Sequence, residues 1–355
     1  MKKREKSRLR PGKKILFSLI TLALLFGGME GLLRICGFEY ESIPKYLSFH
    51  QDKYMFVEGA RTFERDEYLF WRLVPNQKGL GINPQGFRGT PFTAIKKPGV
   101  KRILCLGCSV TFGLFEPKSY ASYLEELLNQ PGGEKAFEVY NMGVPGYSSF
   151  QGLRQFETVG LEYAPDLITV FYGWNDHWLM KTLPDKKQKP PSTLAKTLDQ
   201  SRLYQFLFYL YMEFRTKNIQ HEFRTEDLRI SPLDYMDNLT EFISIARGNG
   251  IEIILVTAPT SIRGMEDTPG FLIRDGLILE GMDLPALQES FNIRVRTLSN
   301  HYKVPLADCA KALEPDVQAL MMEDGIHPNE EGHKRIAEVI HRTIQEAYPD
   351  FLADK

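Results

Sequence analysis

The sequence predicts a three-layer α/β/α domain on a doubly wound parallel sheet, preceded by one transmembrane helix. Three observations carry the prediction. From Val100 onward, apolar runs of strand length alternate with stretches of helical spacing. The run DLITVFYG (166–173) is apolar almost throughout, as a strand covered on both faces must be. And ILFSLITLALLFGGM (15–29) carries no charge at all.

The chain starts with a basic tail, residues 1–14, holding eight lysines and arginines against Glu5. Such a flank stays cytoplasmic, so the following segment, 15–38, is expected to be an uncleaved signal anchor. Apolar character resumes at Leu32, Leu33 and Ile35, and no small-residue cleavage pattern intervenes. The uncharged run is shorter than the roughly 20 residues a span needs. Glu30 and Arg34 must therefore sit near the far interface, the alternative being a signal peptide. Everything beyond residue 38 is expected outside the cytoplasm, in a periplasm or at the cell exterior.

Residues 40–98 form a neck in which Gly79, Gly81, Gly86 and Gly89 break up short apolar runs such as YLFWRLVPN and INPQGFRG. Strands and turns packed on the main domain fit that pattern better than a free linker. Lys96, Lys97, Pro98 and Gly99 mark the boundary, and the main domain is expected over 100–348. Its predicted strands are 103–107, EVYNMG, 166–173, 251–259 and 304–309. The predicted helices are 119–130, ended by Pro131, Gly132 and Gly133, then 153–161, 232–249, 284–302 and 330–348. An insertion, 178–231, separates the third strand from the helix at Pro232. It opens on a basic, Pro-rich stretch and continues into SRLYQFLFYLYMEFRTKN, an aromatic helix expected to serve as packed core or lid, or else to lie on a membrane surface.

At 355 residues and 43% hydrophobic content the chain can bury one main core. The first 14 residues carry +7, so a whole-chain charge of −1 leaves the rest at −8. That acidic body speaks against nucleic acid, which needs a basic face. Four cysteines, Cys36, Cys105, Cys108 and Cys309, are too few and too unevenly placed for a disulfide framework. The C-x-x-C of Cys105 and Cys108 begins in a strand, which holds the sulfurs too far apart to bridge easily.

In a doubly wound sheet the reacting residues belong on loops at the carboxyl ends of strands, and four loops carry the needed chemistry. In LGCSVTFG, Gly107 relaxes the turn so that Ser109 can project its hydroxyl and offer its amide to an oxyanion. In YNMGVPGYSS, Gly143 and Gly146 let the backbone approach a ligand. In FYGWNDHW, Asn175 can donate its side-chain amide to a developing negative oxygen while Asp176 holds the loop. In DGIHPNEEGH, the three-residue spacing lets Asp324 accept from the His327 imidazole, fixing the tautomer that takes a proton from serine. Each loop alone also fits an ordinary turn or cap. His333 and His341 follow on the last helix and fit surface or core positions. A zinc site over His327, His333, Asp324 and Glu331 lacks any helix spacing that zinc ligands use, so no metal and no cofactor are expected.

Taken in order, the four loops resemble the SGNH or GDSL hydrolase family over roughly residues 100–348. The resemblance implies Ser109 as nucleophile, Gly143 and Asn175 as oxyanion donors beside the Ser109 amide, and Asp324 with His327 as the acid–base pair. The family's first block usually reads Gly-Asp-Ser, whereas this chain has Gly107, Cys108, Ser109. That aspartate braces the site by hydrogen bonds in the family, so the resemblance implies lower activity or a looser loop here. Cys108 as nucleophile is disfavoured because it should point the other way from the strand end. The anchor and the GFRG-bearing neck resemble membrane-tethered bacterial members, which implies an acylated envelope glycan or lipid ester as substrate. Water as acceptor gives an esterase; a sugar hydroxyl gives an O-acyltransferase. A non-catalytic carbohydrate-binding protein on the same fold is a further reading, against which the intact Ser109, Asn175, Asp324 and His327 count. A flavodoxin-like nucleotide binder lacks its phosphate-binding glycines.

Overall fold

A computed structural model describes residues 10–40, 62–129, 136–180, 183–190, 192–217 and 224–353. The expected helix stop at Pro131, Gly132 and Gly133, most of the basic tail, residues 41–61 of the expected neck, and parts of the 178–231 insertion lie outside them. Seven strands are present among the described residues: β1 (Phe63–Asp66), β2 (Phe70–Leu73), β3 (Lys101–Gly107), β4 (Phe137–Asn141), β5 (Leu167–Phe171), β6 (Glu252–Val256) and β7 (Leu306–Ala307). β1 and β2 pair antiparallel, and the other five form one parallel sheet in the order β4-β3-β5-β6-β7.

This order places the second strand of the sheet on one side of β3 and the third on the other, so the chain reverses direction across β3. Loops leaving β3 and β5 then diverge around a crevice, the position where open α/β sheets bind ligands. The register keeps them level, with Cys105 opposite both Asn141 and Thr169, and Gly107 opposite Phe171. Every residue of β5 is buried, as a central parallel strand with helices on both faces requires. The Tyr120–Leu128 and Glu330–Ala347 helices pack together as one layer, and Ser149–Thr158, Pro232–Gly248 and Leu284–Tyr302 pack in succession as the other. The expected three-layer parallel architecture is the one observed.

Several predicted elements change their bounds, the strand expected over 251–259 shortening to Glu252–Val256, and in two of them the local reason is plain. The strand expected over 304–309 pairs only at Leu306 and Ala307. Pro305 cannot donate to a ladder, and Asp308 leaves it to cap the helix Cys309–Leu313 through the amide of Lys311. The helix expected over 153–161 starts earlier, at Ser149, because Ser148 and Gln151 form a reciprocal capping box. The neck residues that are described do more than fill turns. Trp71, Leu73, Phe87 and Phe92 join the main hydrophobic core.

Residues 1–42 and 190–220 cluster as a unit of their own. Its helix Pro11–Ile35 is the one helix among the described residues long and apolar enough to cross a membrane. The aromatic helix of the insertion, Arg202–Lys217, packs on it. Glu30 makes the junction: its carboxylate pairs with Arg34 at 2.7 Å and accepts from Ser201 Oγ (2.8 Å), Arg202 N (3.1 Å) and Leu203 N (2.8 Å), capping the second helix. Phe38 and Tyr40 then continue the contact through edge-on packing with Phe206 and Phe208.

Candidate active site

β3 ends at Gly107, where a Cβ would collide with the Thr111 side chain and the Phe171 carbonyl, so only glycine fits. The chain then turns at once into the short helix Ser109–Phe112. Gly143 of the second loop is equally constrained, since a Cβ there would strike the backbone of Thr111 and Phe112. Two glycines thus allow the first two loops to lie backbone against backbone beside Ser109.

Side chains separated by 218 positions meet over this turn: His327 Nε2 lies 2.8 Å from Ser109 Oγ. On its other side, His327 Nδ1 lies 2.6 Å from Asp324 Oδ2. Asp324 Oδ1 accepts from the backbone amides of Ile326 and His327, both at 2.9 Å. Burial alone would raise the Asp324 pKa, but the charge and hydrogen bonds of His327 and those two amides outweigh it and bring it down to about 2. The group is therefore a carboxylate at any working pH. Phe115 sets its ring edge-on against the imidazole at 5.4 Å between centroids, from a residue whose φ of +73° is sterically unusual.

The other expected donors are engaged in and with the second loop. Asn175 is buried, and its Nδ2 gives one of its two hydrogens to Tyr147 O at 3.0 Å. The Gly143 amide donates to Asn141 Oδ1 at 2.9 Å, so the hydrogen expected to face an oxyanion is held by a side chain. The second loop is fastened from two sides. Tyr147 Oη donates to Trp71 O (2.6 Å) and Trp71 Nε1 to Pro145 O (3.2 Å), while Arg229 donates to Gly146 O (2.9 Å) and pairs with buried Asp185 (2.8 Å).

Asp176 accepts from Ser149 N (2.8 Å) and Gly173 N (3.1 Å) while fully buried. Burial raises its pKa from 3.8 to about 6, against hydrogen bonds from Ser149. A carboxyl whose folded value lies above its unfolded one stabilises the fold below the unfolded value and loses that contribution as pH rises through the folded one. Unfolding free energy should accordingly fall by roughly 2 kcal/mol from this group between pH 4 and pH 7, at about 1.36 kcal/mol per unit. Asp176→Asn should flatten that slope in denaturant titrations. An identical slope in both proteins would mean the buried carboxyl does not titrate there.

Cys108 is buried, with its thiol pushed up to about 11 by burial and by the neighbouring charge of Asp176. Its surroundings favour the neutral thiol over the thiolate. His333 is fully buried and accepts from Tyr120 N at 3.2 Å, with burial holding its pKa down to about 3. His341 is half-buried. Sequence reasoning passed over Asn141, whose Nδ2 donates to Thr111 O (2.7 Å) and Ser119 Oγ (2.9 Å), and Arg88, whose guanidinium reaches the same loop. The run YNMG contained the first in plain view; a buried arginine leaves no periodic signal.

A hydroxyl, an imidazole and a carboxylate thus stand in one hydrogen-bonded line at the carboxyl end of a parallel sheet. Residues 105–335 match the GDSL-like lipase/acylhydrolase family model, well over half of the chain, and the protein belongs to that family. No curated protein matches it. Among solved structures it is similar to the lipase/acylhydrolase from Enterococcus faecalis, at 17% identity and a TM-score of 0.45, over 70% of this chain and 96% of that one. A GDSL-like lipase from Bacteroides thetaiotaomicron aligns at 16% identity and TM-score 0.42, over 70% and 89%. A point variant of an acetyl-xylooligosaccharide esterase from Geobacillus stearmophilus aligns at 15% and 0.44, over 71% and 96%.

Proposed function

We propose that this ester hydrolase works through an acyl-serine intermediate in which Ser109 is the nucleophile and His327 its general base, oriented by Asp324. The observation that carries the reading is the 2.8 Å approach of His327 Nε2 to Ser109 Oγ, backed by the 2.6 Å bond to Asp324. The serine proton passes to His327 as its oxygen attacks the ester carbonyl; His327 then returns it to the leaving alkoxide, and a water or sugar hydroxyl repeats the cycle in reverse. The tetrahedral oxyanion takes the Ser109 amide and the second hydrogen of Asn175 Nδ2 as donors. Gly143 joins them by sharing or releasing Asn141.

The substrate class follows from where the enzyme sits. The apolar helix Pro11–Ile35, with its basic flank, tethers the chain to a membrane and leaves the catalytic domain extracytoplasmic. O-acyl groups on cell-envelope or extracellular glycans, or lipid esters, are the esters within reach of an anchored enzyme. Hydrolysis is the first reading and transfer to a sugar hydroxyl the second. The test uses full-length protein in detergent on short-chain aryl esters and acetylated oligosaccharides, with and without a sugar acceptor. We expect a burst of phenol stoichiometric with enzyme, followed by slower turnover to free acid. Acceptor-dependent acyl-sugar in place of free acid would select transfer, and the absence of both burst and turnover would end the proposal.

A further inference from the structure

We propose that Arg88, supplied by the neck, is a positioning residue that holds the nucleophile and its base in working register; this rests on Ser109 and His327 having the roles just described. Arg88 lies outside the residues matched by the family model. Its backbone bridges to Ile82 and to Asn141, beside the second loop. Its side chain is buried and turns toward the Ser109 loop. There Nη1 donates to Phe112 O at 2.8 Å and also to Gly113 O, while Nη2 donates to Glu116 O. The guanidinium also stacks over the Phe112 ring at 5.0 Å.

Of these carbonyls, that of Phe112 is one the short Ser109–Phe112 helix leaves without an intrahelical partner, and those of Gly113 and Glu116 belong to the turn that follows it. Asn141 takes the carbonyl of Thr111, and Arg88 takes the next two and that of Glu116. The turn from Gly113 to Glu116 is thereby gripped at both ends by one planar cation. It also folds back on the nucleophile, since the amides of Gly113 and Leu114 donate to Ser109 O at 3.0 and 3.1 Å. Between the gripped ends stands Phe115, in its unusual backbone conformation, with its ring against His327. One side chain from the neck therefore fixes the serine's helix and, through Phe115, the imidazole. Lysine offers a single point charge and cannot span the same carbonyls in a planar fork.

The consequence is a defect in rate rather than in binding. Full-length Arg88→Lys in detergent should lose about tenfold to a hundredfold in kcat on a short aryl ester, the scale of a misplacement near 1 Å, with KM little changed. Phosphonylation of Ser109 by a fluorophosphonate, followed by mass spectrometry, should slow by a similar factor while thermal unfolding is measured alongside. In Arg88→Ala, added guanidinium ion should recover part of the labelling rate, where methylammonium does not. Wild-type labelling and turnover in Arg88→Lys would overturn the proposal, as would losses that track only the fraction of folded protein. If the wild-type enzyme hydrolyses the ester without labelling at Ser109, the underlying assignment of the nucleophile fails, and the role of Arg88 falls with it.

Discussion

Replacing Ser109 with alanine is expected to lower kcat by about 10⁴- to 10⁶-fold and to remove the burst, with the fold intact. The magnitude follows from nucleophile and base acting as one unit, in which losing either costs nearly as much as losing both. The structure gives the reason that nothing substitutes. Cys108 is adjacent in sequence, but its thiol is buried and held protonated, at about 11, by its surroundings. The hydroxyl of Ser109 is also a small part of the packing, so Ser109→Ala should unfold at nearly the wild-type temperature. Steady-state and stopped-flow measurements on the same preparation check both points. Turnover within tenfold of wild type would place the nucleophile elsewhere.

Asp324→Asn should cost nearly as much, about 10³- to 10⁴-fold in kcat, because the geometry dictates which way the amide will face. Asp324 Oδ1 is held by two backbone amides at 2.9 Å, and an asparagine oxygen fits that place while its nitrogen does not. The Nδ2 group must then occupy the position of Oδ2, 2.6 Å from His327 Nδ1, and present a hydrogen where the carboxylate accepted one. The imidazole responds by carrying its proton on Nε2, the atom that has to receive the proton of Ser109. KM on a short ester should change little, since the carboxylate does not face the substrate. A loss under tenfold would mean that the tautomer is set by something other than Asp324.

The fold could be anticipated because its signals are local and periodic. A short apolar run rich in β-branched residues, such as 167–171, reads as a covered strand, and the capped, amphipathic run from Asn329 leads into one helix. The observed bounds depart from the expected ones where one or two residues override the pattern. Pro305 and Asp308 cut a predicted strand to two residues, and the Ser148–Gln151 box moved a helix start toward the chain's beginning. Ser109, His327, Asp324 and Asn175 could be singled out because each stands where an apolar strand or turn gives way to a polar loop. What holds them could not. Arg88, Asn141, Arg229 and Asp185 act through long-range contacts with backbone carbonyls or with one another, and neither a carbonyl nor a buried charge pair leaves a spacing to detect. The same holds for Glu30, where the chain shows a charge at the end of an apolar run and the structure shows a cap on a helix 171 positions away.

The central claim is that the hydroxyl of Ser109 carries the acyl group. Its most direct test is to trap the full-length enzyme with a fluorophosphonate and map the adduct by peptide mass spectrometry. One modified peptide is predicted, with the adduct on Ser109, protected by prior incubation with a slow ester and missing in Ser109→Ala. An adduct on any other residue, or undiminished esterase activity in protein fully modified elsewhere, would contradict the account.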